Sequence, residues 1–389
     1  MLMTVYPGIP RGEAALPRSK AWVHRVMLAS FLSGSGAPVY PECDDTRAMR
    51  DCLQVLRCTP AGGVPAINAA ECGTVLRFLL PVCAALYEKS VIRMGDTLAA
   101  RPTGALTRAL SEHGTAVSRE GDRLVLTGRL RPGGKPFRLP GDISSQYFSG
   151  LLFALPLTRE GGEIIPDTVP ESSRYISLTG QMLRLFGVRF EQREDGTFSV
   201  PGGQAFAPAC PELPCDLSLA AFLLCMNRAG GSVRINGYRK DPYQADSMME
   251  ELLCSIGGRI DVRECPDLFL PLCVSAALET GAETVFTGVK RLRYKECDRL
   301  RAAREMLEAL KIRCTEEEDR FTVLGGRPAG GHVNGFRDHR VVMAAAALGM
   351  FAGAPVTVTD AECTDKSWPG FWKTLNALGI CTEQRETDE

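Results

Sequence analysis

The chain has 389 residues, of which 45% are hydrophobic and 23% charged, and its formal net charge at pH 7 is -1. This length allows two domains with a core each, and the lack of a basic surplus argues against nucleic-acid binding. The longest apolar runs, such as FLLPVCAALY from Phe78, are about half the length of a membrane-spanning helix, so we expect no membrane segment.

Cysteine and histidine usage predicts a reduced, metal-free protein. The fifteen cysteines form no Cys-x-x-Cys pair, and the chain begins without a basic and apolar leader, so we expect a cytoplasmic location. The four histidines have no zinc-ligand spacing to the cysteines. No Walker loop or Gly-x-Gly-x-x-Gly motif is present, so neither nucleoside triphosphate hydrolysis nor a nicotinamide cofactor is indicated, and we expect no cofactor.

A junction of the form Leu-x-x-x-Gly, followed by an alternating strand, recurs along the chain. The glycine suits the left-handed end of a helix, and we expect a helix and strands in each unit. Four full copies start at Leu110, Leu183, Leu253 and Leu375, and two copies with a basic residue in place of glycine start at Leu53 and Leu307. Six such units favour an α/β assembly built by duplication. The segment from Pro201 to Pro214 is rich in Pro, Gly and Ala and predicts a connection between domains.

Basic residues stand at several predicted helix starts, where the helix dipole disfavours a cation. The clearest case is Lys295-Glu296-Cys297-Asp298-Arg299, ahead of an apolar helical stripe that begins at Leu300. The full set is Lys20, Arg101, Lys295, Arg299, Arg340 and Lys366. This bias predicts bound anions, with Glu296 beside them as a candidate proton carrier.

Other predicted helix starts offer hydroxyl groups or acids. Ser144, Ser145 and Gln146 would form a phosphate-binding site at one helix start. Ser172 likewise offers a hydroxyl group before another predicted helix. Asp44 and Asp45 are interpreted as helix caps. Asp267 also suits a cap, but it is the other acid available for proton transfer if these helices share one cleft.

Successive motifs of the chain resemble those of the EPSP synthase family of enolpyruvyl transferases. The matching segments are PRSKAWVHR, DDTRAM, ECGTVLRF, ARPTG, GDISSQYFSGLL, SSRYI, CDLSLAAF, PDLFLPL, LRYKECDRL, FRDHRVVMA and CTDKSWPGF, in the family's order. The resemblance covers nearly the whole chain. It implies an α/β fold of two inside-out barrels, with six repeats, three per domain, and an active site in the interdomain cleft. The expected domains are residues 16–214 and residues 1–15 plus 215–389.

The resemblance implies transfer of the enolpyruvyl group of phosphoenolpyruvate to the 5-hydroxyl of shikimate 3-phosphate, with release of phosphate. By motif position, catalysis would depend on Asp267, Glu296 and Lys20. Phosphoenolpyruvate would be bound by Lys20, Gly73, Arg101, Gln146, Arg299, Arg340 and Lys366. Shikimate 3-phosphate would be bound by Lys20, Arg25, Ser144, Ser145, Gln146, Ser172, Tyr175, Asp267 and Lys295. A monomer without metal or cofactor is expected.

Three segments depart from the family's usual motifs. The usual Gly-Ser-Lys-Ser loop carries Arg18 and Ala21 at its ends, which removes a hydroxyl expected on shikimate 3-phosphate. Glu71 replaces an asparagine and places an acid near the expected phosphoenolpyruvate site, and Arg291 replaces an amide side chain. We expect these changes to alter substrate affinity and to leave the chemistry intact.

Two other functions remain open at this point. The first is enolpyruvyl transfer to a UDP-amino sugar on the same fold, against which the Ser144-Ser145-Gln146 cradle and the Asp-His-Arg motif argue. The second is a non-catalytic paralogue that binds a phosphorylated metabolite. Arg18, Ala21 and Glu71 support the second, whereas Lys20, Asp267 and Glu296 argue against it.

Overall fold

The computed structural model describes residues 1–36 and 43–385 of the chain. These residues divide into two compact units. The central unit is Lys20–Leu213, and the terminal unit joins Met1–Ser19 to Pro214–Glu389. The chain therefore leaves the terminal unit early and returns to it in the segment predicted to connect the domains. The domain boundaries expected from the sequence, at residues 16 and 215, stay a prediction about folding units.

The first part of the chain contains two terminal-unit strands and then the elements of the central unit. In chain order these elements are β1 Leu2–Val5, β2 Arg11–Ala15, α1 Lys20–Leu32, α2 Asp44–Cys58, β3 Ala66–Asn68, α3 Gly73–Leu86, β4 Lys89–Arg93, α4 Asp96–Ala99, α5 Gly104–Ser111, β5 Ala116–Glu120, β6 Arg123–Thr127, β7 Phe137–Leu139, α6 Ser145–Ala154, β8 Gly161–Pro166, α7 Ser173–Leu185, β9 Glu191–Gln192 and β10 Phe198–Pro201.

The remaining elements belong to the terminal unit. They are α8 Leu217–Arg228, β11 Ser232–Asn236, α9 Met249–Leu253, β12 Arg259–Asp261, α10 Phe269–Leu278, β13 Glu283–Thr287, α11 Arg299–Ala309, β14 Arg313–Glu316, β15 Arg320–Leu324, β16 Gly331–Val333, α12 His339–Met350, β17 Val356–Val358, α13 Phe371–Ala377 and β18 Thr382–Arg385. Short 3-10 helices at Pro266–Leu268, Lys290–Tyr294 and Ala361–Lys366 matter for the site described below.

Four sheets share one strand arrangement, which explains the recurring sequence junction. Their orders are β3-β4-β6-β5, β7-β8-β10-β9, β12-β13-β15-β14 and β16-β17-β1-β18. In each sheet the first pair of strands is parallel and the other two pairs are antiparallel. The last sheet takes its third strand from β1, so the start of the chain completes the final repeat. A fifth, two-stranded sheet pairs β2 with β11 in parallel.

The predicted repeat ends coincide with the ends of α2, α5, α7, α9, α11 and α13. Gly114, Gly187, Gly257 and Gly379 have positive φ, as a left-handed helix end requires. Lys311 has a φ of 63° in the same role, although it carries a side chain. Arg57 differs, because it lies inside α2. The alternating strand expected directly after Gly187 begins later, since β9 starts at Glu191.

Helices form the interior of each unit. In the terminal unit α8, α10 and α12 pack against one another, and α12 is buried along its whole length. In the central unit α6 packs against α3 and α7. Gly150 allows α6 to approach α3 closely, because a side chain there would collide with the backbone oxygen of Arg77. Strands such as β4 and β6 bury alternate residues and expose the others, so the sheets cover the helices.

Within residues 1–36 and 43–385, no helix is both long enough and apolar enough to cross a membrane.

Candidate active site

A buried network of charges surrounds Arg299 in the terminal unit. Arg299 is the first residue of α11, and its side chain is only 2% exposed. Its guanidinium donates to Asp267 at 2.9 Å, to Glu296 at 2.6 Å and to Asp338 at 2.8 Å. Because three carboxylates surround it, the pKa of Arg299 lies well above its ordinary value, although burial alone would lower it. The predicted residues Asp267, Glu296 and Arg299 are thus brought together by the fold.

Two helices of the terminal unit, α11 and α12, begin with cations and are each capped by an aspartate. Asp298 accepts hydrogen bonds from the backbone N–H groups of Leu300 and Arg301 at the start of α11. Asp338 accepts from the backbone N–H of Arg340 at the start of α12 and also binds Arg299. These carboxylates offset the unfavourable position of the arginines in the helix dipole. The sequence analysis did not single out Asp338 as a site residue, although it opens the Asp-His-Arg motif.

Asp267 is not a helix cap, contrary to the alternative considered from the sequence. It lies in the 3-10 helix Pro266–Leu268 and makes no capping hydrogen bond. Its carboxylate instead accepts from Arg299 at 2.9 Å and from Arg340 at 3.2 Å. Burial would raise the pKa of Asp267, but the charges of Arg340, Lys295 and Arg299 hold it well below its ordinary value. Asp267 is therefore a carboxylate at neutral pH and can accept a proton.

Two lysines complete this cluster. The ammonium group of Lys295 lies 3.6 Å from Asp267, and that of Lys366 lies 4.0 Å from Glu296. Burial lowers the pKa of Lys295 to about 8, even though Asp267 opposes this shift. The predicted position of Lys366 at the start of the last helix is wrong, because Lys366 ends the 3-10 helix Ala361–Lys366 and α13 begins only at Phe371. Residues 367–370 separate this 3-10 helix from α13.

The central unit holds a second cluster, which begins with Lys20, the first residue of α1. Lys20 donates to the carboxylate of Asp45 at 2.9 Å. The interpretation of Asp45 as a cap is therefore wrong: Cys43 and Thr46 cap α2 instead. The ring of His24 lies 3.2 Å from the backbone oxygen of Asp45, and burial lowers the pKa of His24 to about 4. His24 is neutral at pH 7 and adds no charge beside Lys20.

Arg25 is buried among neutral acceptors. Its guanidinium donates to the hydroxyl of Thr179 at 2.8 Å and to the backbone oxygens of Ala21 and Tyr175 at 2.8 and 2.9 Å. A longer contact of 3.4 Å reaches the hydroxyl of Ser149. Burial lowers the pKa of Arg25 to about 9, so it keeps its charge at pH 7. A buried cation held by neutral groups is well suited to an anionic ligand.

Gln146 is held at both ends of its side-chain amide. Arg77 donates to its oxygen at 2.8 Å, and its nitrogen donates to the hydroxyl of Thr74 at 2.9 Å. Ser144 caps α6 by accepting from the backbone N–H of Gln146, so one serine has the capping role expected. Ser145 is buried at the first position of that helix. The sequence analysis missed Arg77, whose only signal is its place one helical turn after Gly73.

Gly73 makes room for two guanidinium groups. A Cβ at this position would lie 2.8 Å from Nη1 of Arg77 and 3.2 Å from Nη1 of Arg101. The two arginines therefore converge beside the first turn of α3. The predicted site residues Gly73, Arg101 and Gln146 share this part of the central unit.

Ser172 and Tyr175 stand at the start of α7. Ser172 precedes the helix in the left-handed region, with φ 55° and ψ 43°, which costs a residue with a side chain about 1 kcal/mol or more. Such strain is concentrated at functional positions in proteins. Tyr175 contributes its backbone oxygen to Arg25.

The departures noted in the sequence have defined places. Glu71 accepts hydrogen bonds from Thr97 and Leu98 at the start of α4. The buried side chain of Arg291 donates to the backbone oxygen of Arg263. Arg18 is exposed, and its backbone forms an isolated antiparallel β-bridge with Cys215. None of these residues is among those proposed for chemistry.

The chain is similar to known proteins along nearly its whole length. The family model described as EPSP synthase (3-phosphoshikimate 1-carboxyvinyltransferase) matches residues 10–264 and 255–375. The chain belongs to the EPSP synthase family. A 3-phosphoshikimate 1-carboxyvinyltransferase of Dehalococcoides mccartyi is 32% identical over 409 residues, which cover 95% of this chain and 96% of that protein. One of Halobacterium salinarum is 33% identical over 435 residues, with 98% and 100% coverage.

Solved structures agree with the family assignment at the level of the fold. EPSP synthase from Acinetobacter baumannii has a TM-score of 0.77 at 23% identity and covers 98% of this chain and 100% of its own. The enolpyruvyl transferase NikO from Streptomyces tendae has a TM-score of 0.72 at 16% identity, with 98% coverage of both chains. The predicted family, the two-domain α/β fold class and the enzyme class are thus confirmed. The roles of the site residues stay predictions.

Within the described part of the chain, no group of three or more His, Cys, Asp and Glu side chains is arranged to hold a metal ion.

Proposed function

We propose that this member of the EPSP synthase family transfers the enolpyruvyl group of phosphoenolpyruvate to the 5-hydroxyl of shikimate 3-phosphate. The observation that carries the proposal is the network in which Arg299 contacts both Asp267 and Glu296. It supplies an ionised acid, a second acid and fixed positive charge in one buried place. The names of the curated relatives support this reaction.

Asp267 would accept the proton of the 5-hydroxyl while the hydroxyl oxygen attacks the central carbon of phosphoenolpyruvate. Although burial would raise its pKa, the charges of Arg340, Lys295 and Arg299 keep it low, so the carboxylate is ionised before the substrates arrive. Glu296 and Lys20 would deliver a proton to the methylene carbon, which gives a tetrahedral intermediate, and later remove one as phosphate leaves. Arg299, Arg340 and Lys366 would bind phosphoenolpyruvate, whose carboxylate and phosphate suit guanidinium and ammonium groups.

The central unit would bind the anionic ends of the substrates. Arg25, Ser144, Ser145, Ser172 and Tyr175 would contact shikimate 3-phosphate, joined by Lys295 and Asp267 of the terminal unit. Gly73, Arg101 and Gln146 would contact phosphoenolpyruvate, with Gln146 also reaching shikimate 3-phosphate.

A phosphate-release assay with each substrate omitted in turn tests the proposal. Phosphate should appear only when phosphoenolpyruvate and shikimate 3-phosphate are both present, and the carbon product should carry a new enol ether. Absence of phosphate with both substrates would refute the activity and favour a binding paralogue. Phosphate released with a UDP-amino sugar in place of shikimate 3-phosphate would instead favour the nucleotide-sugar reaction.

A further inference from the structure

We propose that Glu71 is a positioning residue that fixes the segment carrying Arg101 and thereby sets the affinity for phosphoenolpyruvate. The inference rests on the proposed function, because that function gives Arg101 its ligand. Glu71 itself stands two residues before Gly73, in the loop between β3 and α3. Its role follows from what its carboxylate contacts.

The carboxylate of Glu71 is engaged by three donors at the start of α4. The backbone N–H of Leu98 donates to it at 2.8 Å, and the backbone N–H of Thr97 donates at 3.4 Å. The hydroxyl of Thr97 donates to the same carboxylate. Hydrogen bonds to an ionised acceptor are about twice as strong as neutral ones, so this contact ties the two segments firmly. The negative charge that the sequence placed near an anion site is thus stabilised by donors of the protein itself.

Backbone hydrogen bonds join the same two segments. Ala69 donates to Arg93 at 2.9 Å, and Gly95 donates to Ala70 at 2.7 Å. Gly95 is required by this arrangement, because any side chain there would collide with the carboxylate of Glu71. The glycine, the glutamate and the threonine therefore form one fitted contact.

The contact leads directly to Arg101. The backbone N–H of Arg101 donates to the carbonyl of Leu98 at 3.0 Å, and Leu98 is held by Glu71. The guanidinium of Arg101 reaches back to Gly73, at 3.2 Å from the position of a Cβ on that glycine. The loop that carries Glu71 and Gly73 thus contacts the Arg101 segment twice: Glu71 binds the backbone of Leu98, and Gly73 lies beside the Arg101 guanidinium. Loss of the contact between Glu71 and Leu98 should displace the guanidinium.

Steady-state kinetics of Glu71→Ala and Thr97→Val test the inference. Glu71→Ala should raise KM for phosphoenolpyruvate about 10-fold or more, because a misplacement near 1 Å can cost up to about 100-fold. KM for shikimate 3-phosphate and kcat should change less than about 3-fold. Thr97→Val removes one donor at constant shape and should have a smaller effect in the same direction. Asp96→Ala, which removes an exposed carboxylate from the same helix, is the matched control and should behave as wild type.

The inference is overturned if both KM values and kcat change in parallel in Glu71→Ala, or if Thr97→Val leaves KM for phosphoenolpyruvate unchanged. A second measurement separates it from the proposed function. Amide hydrogen exchange at residues 95–101, without substrates, should be faster in both variants than in wild type and unchanged in Asp96→Ala. Unchanged exchange in both variants would refute the contact even if the enzyme is fully active. Faster exchange in a protein that releases no phosphate would refute the reaction alone.

Discussion

The two clusters of site residues differ in how their positive charges are satisfied. In the terminal unit Arg299 contacts three carboxylates, and Arg340 contacts Asp267. In the central unit the arginines Arg25 and Arg77 contact hydroxyl, carbonyl and amide groups, whereas Lys20 contacts a carboxylate. Paired charges can keep acids ionised for proton transfer, whereas cations among neutral acceptors keep their attraction for an anion. The comparison assigns chemistry mainly to one unit and anion binding mainly to the other.

The largest effect expected from this comparison follows the removal of one charge from the terminal cluster. Asp267→Asn keeps the shape of the side chain but abolishes the proposed base, so kcat should fall roughly 100- to 10,000-fold. Binding of shikimate 3-phosphate, measured by calorimetry, should largely survive. Asp319→Asn, an exposed aspartate in the same unit, is the control. Unchanged turnover in Asp267→Asn would remove this residue from the mechanism.

One arginine variant in each unit should show that the two clusters differ in how much their cation contributes to the free energy of unfolding. Arg299→Gln leaves Asp267, Glu296 and Asp338 without their shared cation. It should lower the free energy of unfolding, measured by urea titration, by about 3–5 kcal/mol. Arg25→Gln should cost roughly 1 kcal/mol or less, because removing a buried charge offsets the lost hydrogen bonds. Arg25→Gln should nevertheless reduce the free energy of shikimate 3-phosphate binding by more than it reduces the free energy of unfolding. Equal losses of stability in the two variants would contradict the distinction.

The smallest expected effect is the pH dependence of activity that Lys295, one of the two lysines of the terminal unit's cluster, should cause. Burial lowers the pKa of Lys295 to about 8, so its cation is present below that pH and is lost as pH rises through it. If Lys295 binds shikimate 3-phosphate, kcat/KM for this substrate should decrease about 5-fold between pH 8 and pH 9. Lys295→Arg keeps its charge in this range, so its profile should be flatter over the same interval. Identical slopes for the two proteins would mean that another group titrates.

Much of the local structure was predictable from residue patterns. The apolar stripe from Leu300 predicted α11, and the repeated Leu-x-x-x-Gly junction predicted the ends of several helices. The order of the motifs also indicated the family. These signals are local, because helix periodicity and left-handed helix ends depend on residues close together in the chain.

The partners of the site residues were not predictable in the same way. Asp45 was interpreted as a cap and instead binds Lys20, while Arg77, which holds Gln146, was missed. Glu71 was expected to place an acid near the phosphoenolpyruvate site, and its contact with the start of α4 was not predicted. In each case the contact joins residues 25 or more positions apart.

The order of motifs and most of the helix starts were determined by the sequence alone, because both depend on which residue types are near neighbours along the chain. The choice of acid for each cation was decided only by the tertiary structure. An aspartate before a helix can cap it or bind a distant lysine at similar free energy, and only the packing of the repeats brings one partner within hydrogen-bonding distance.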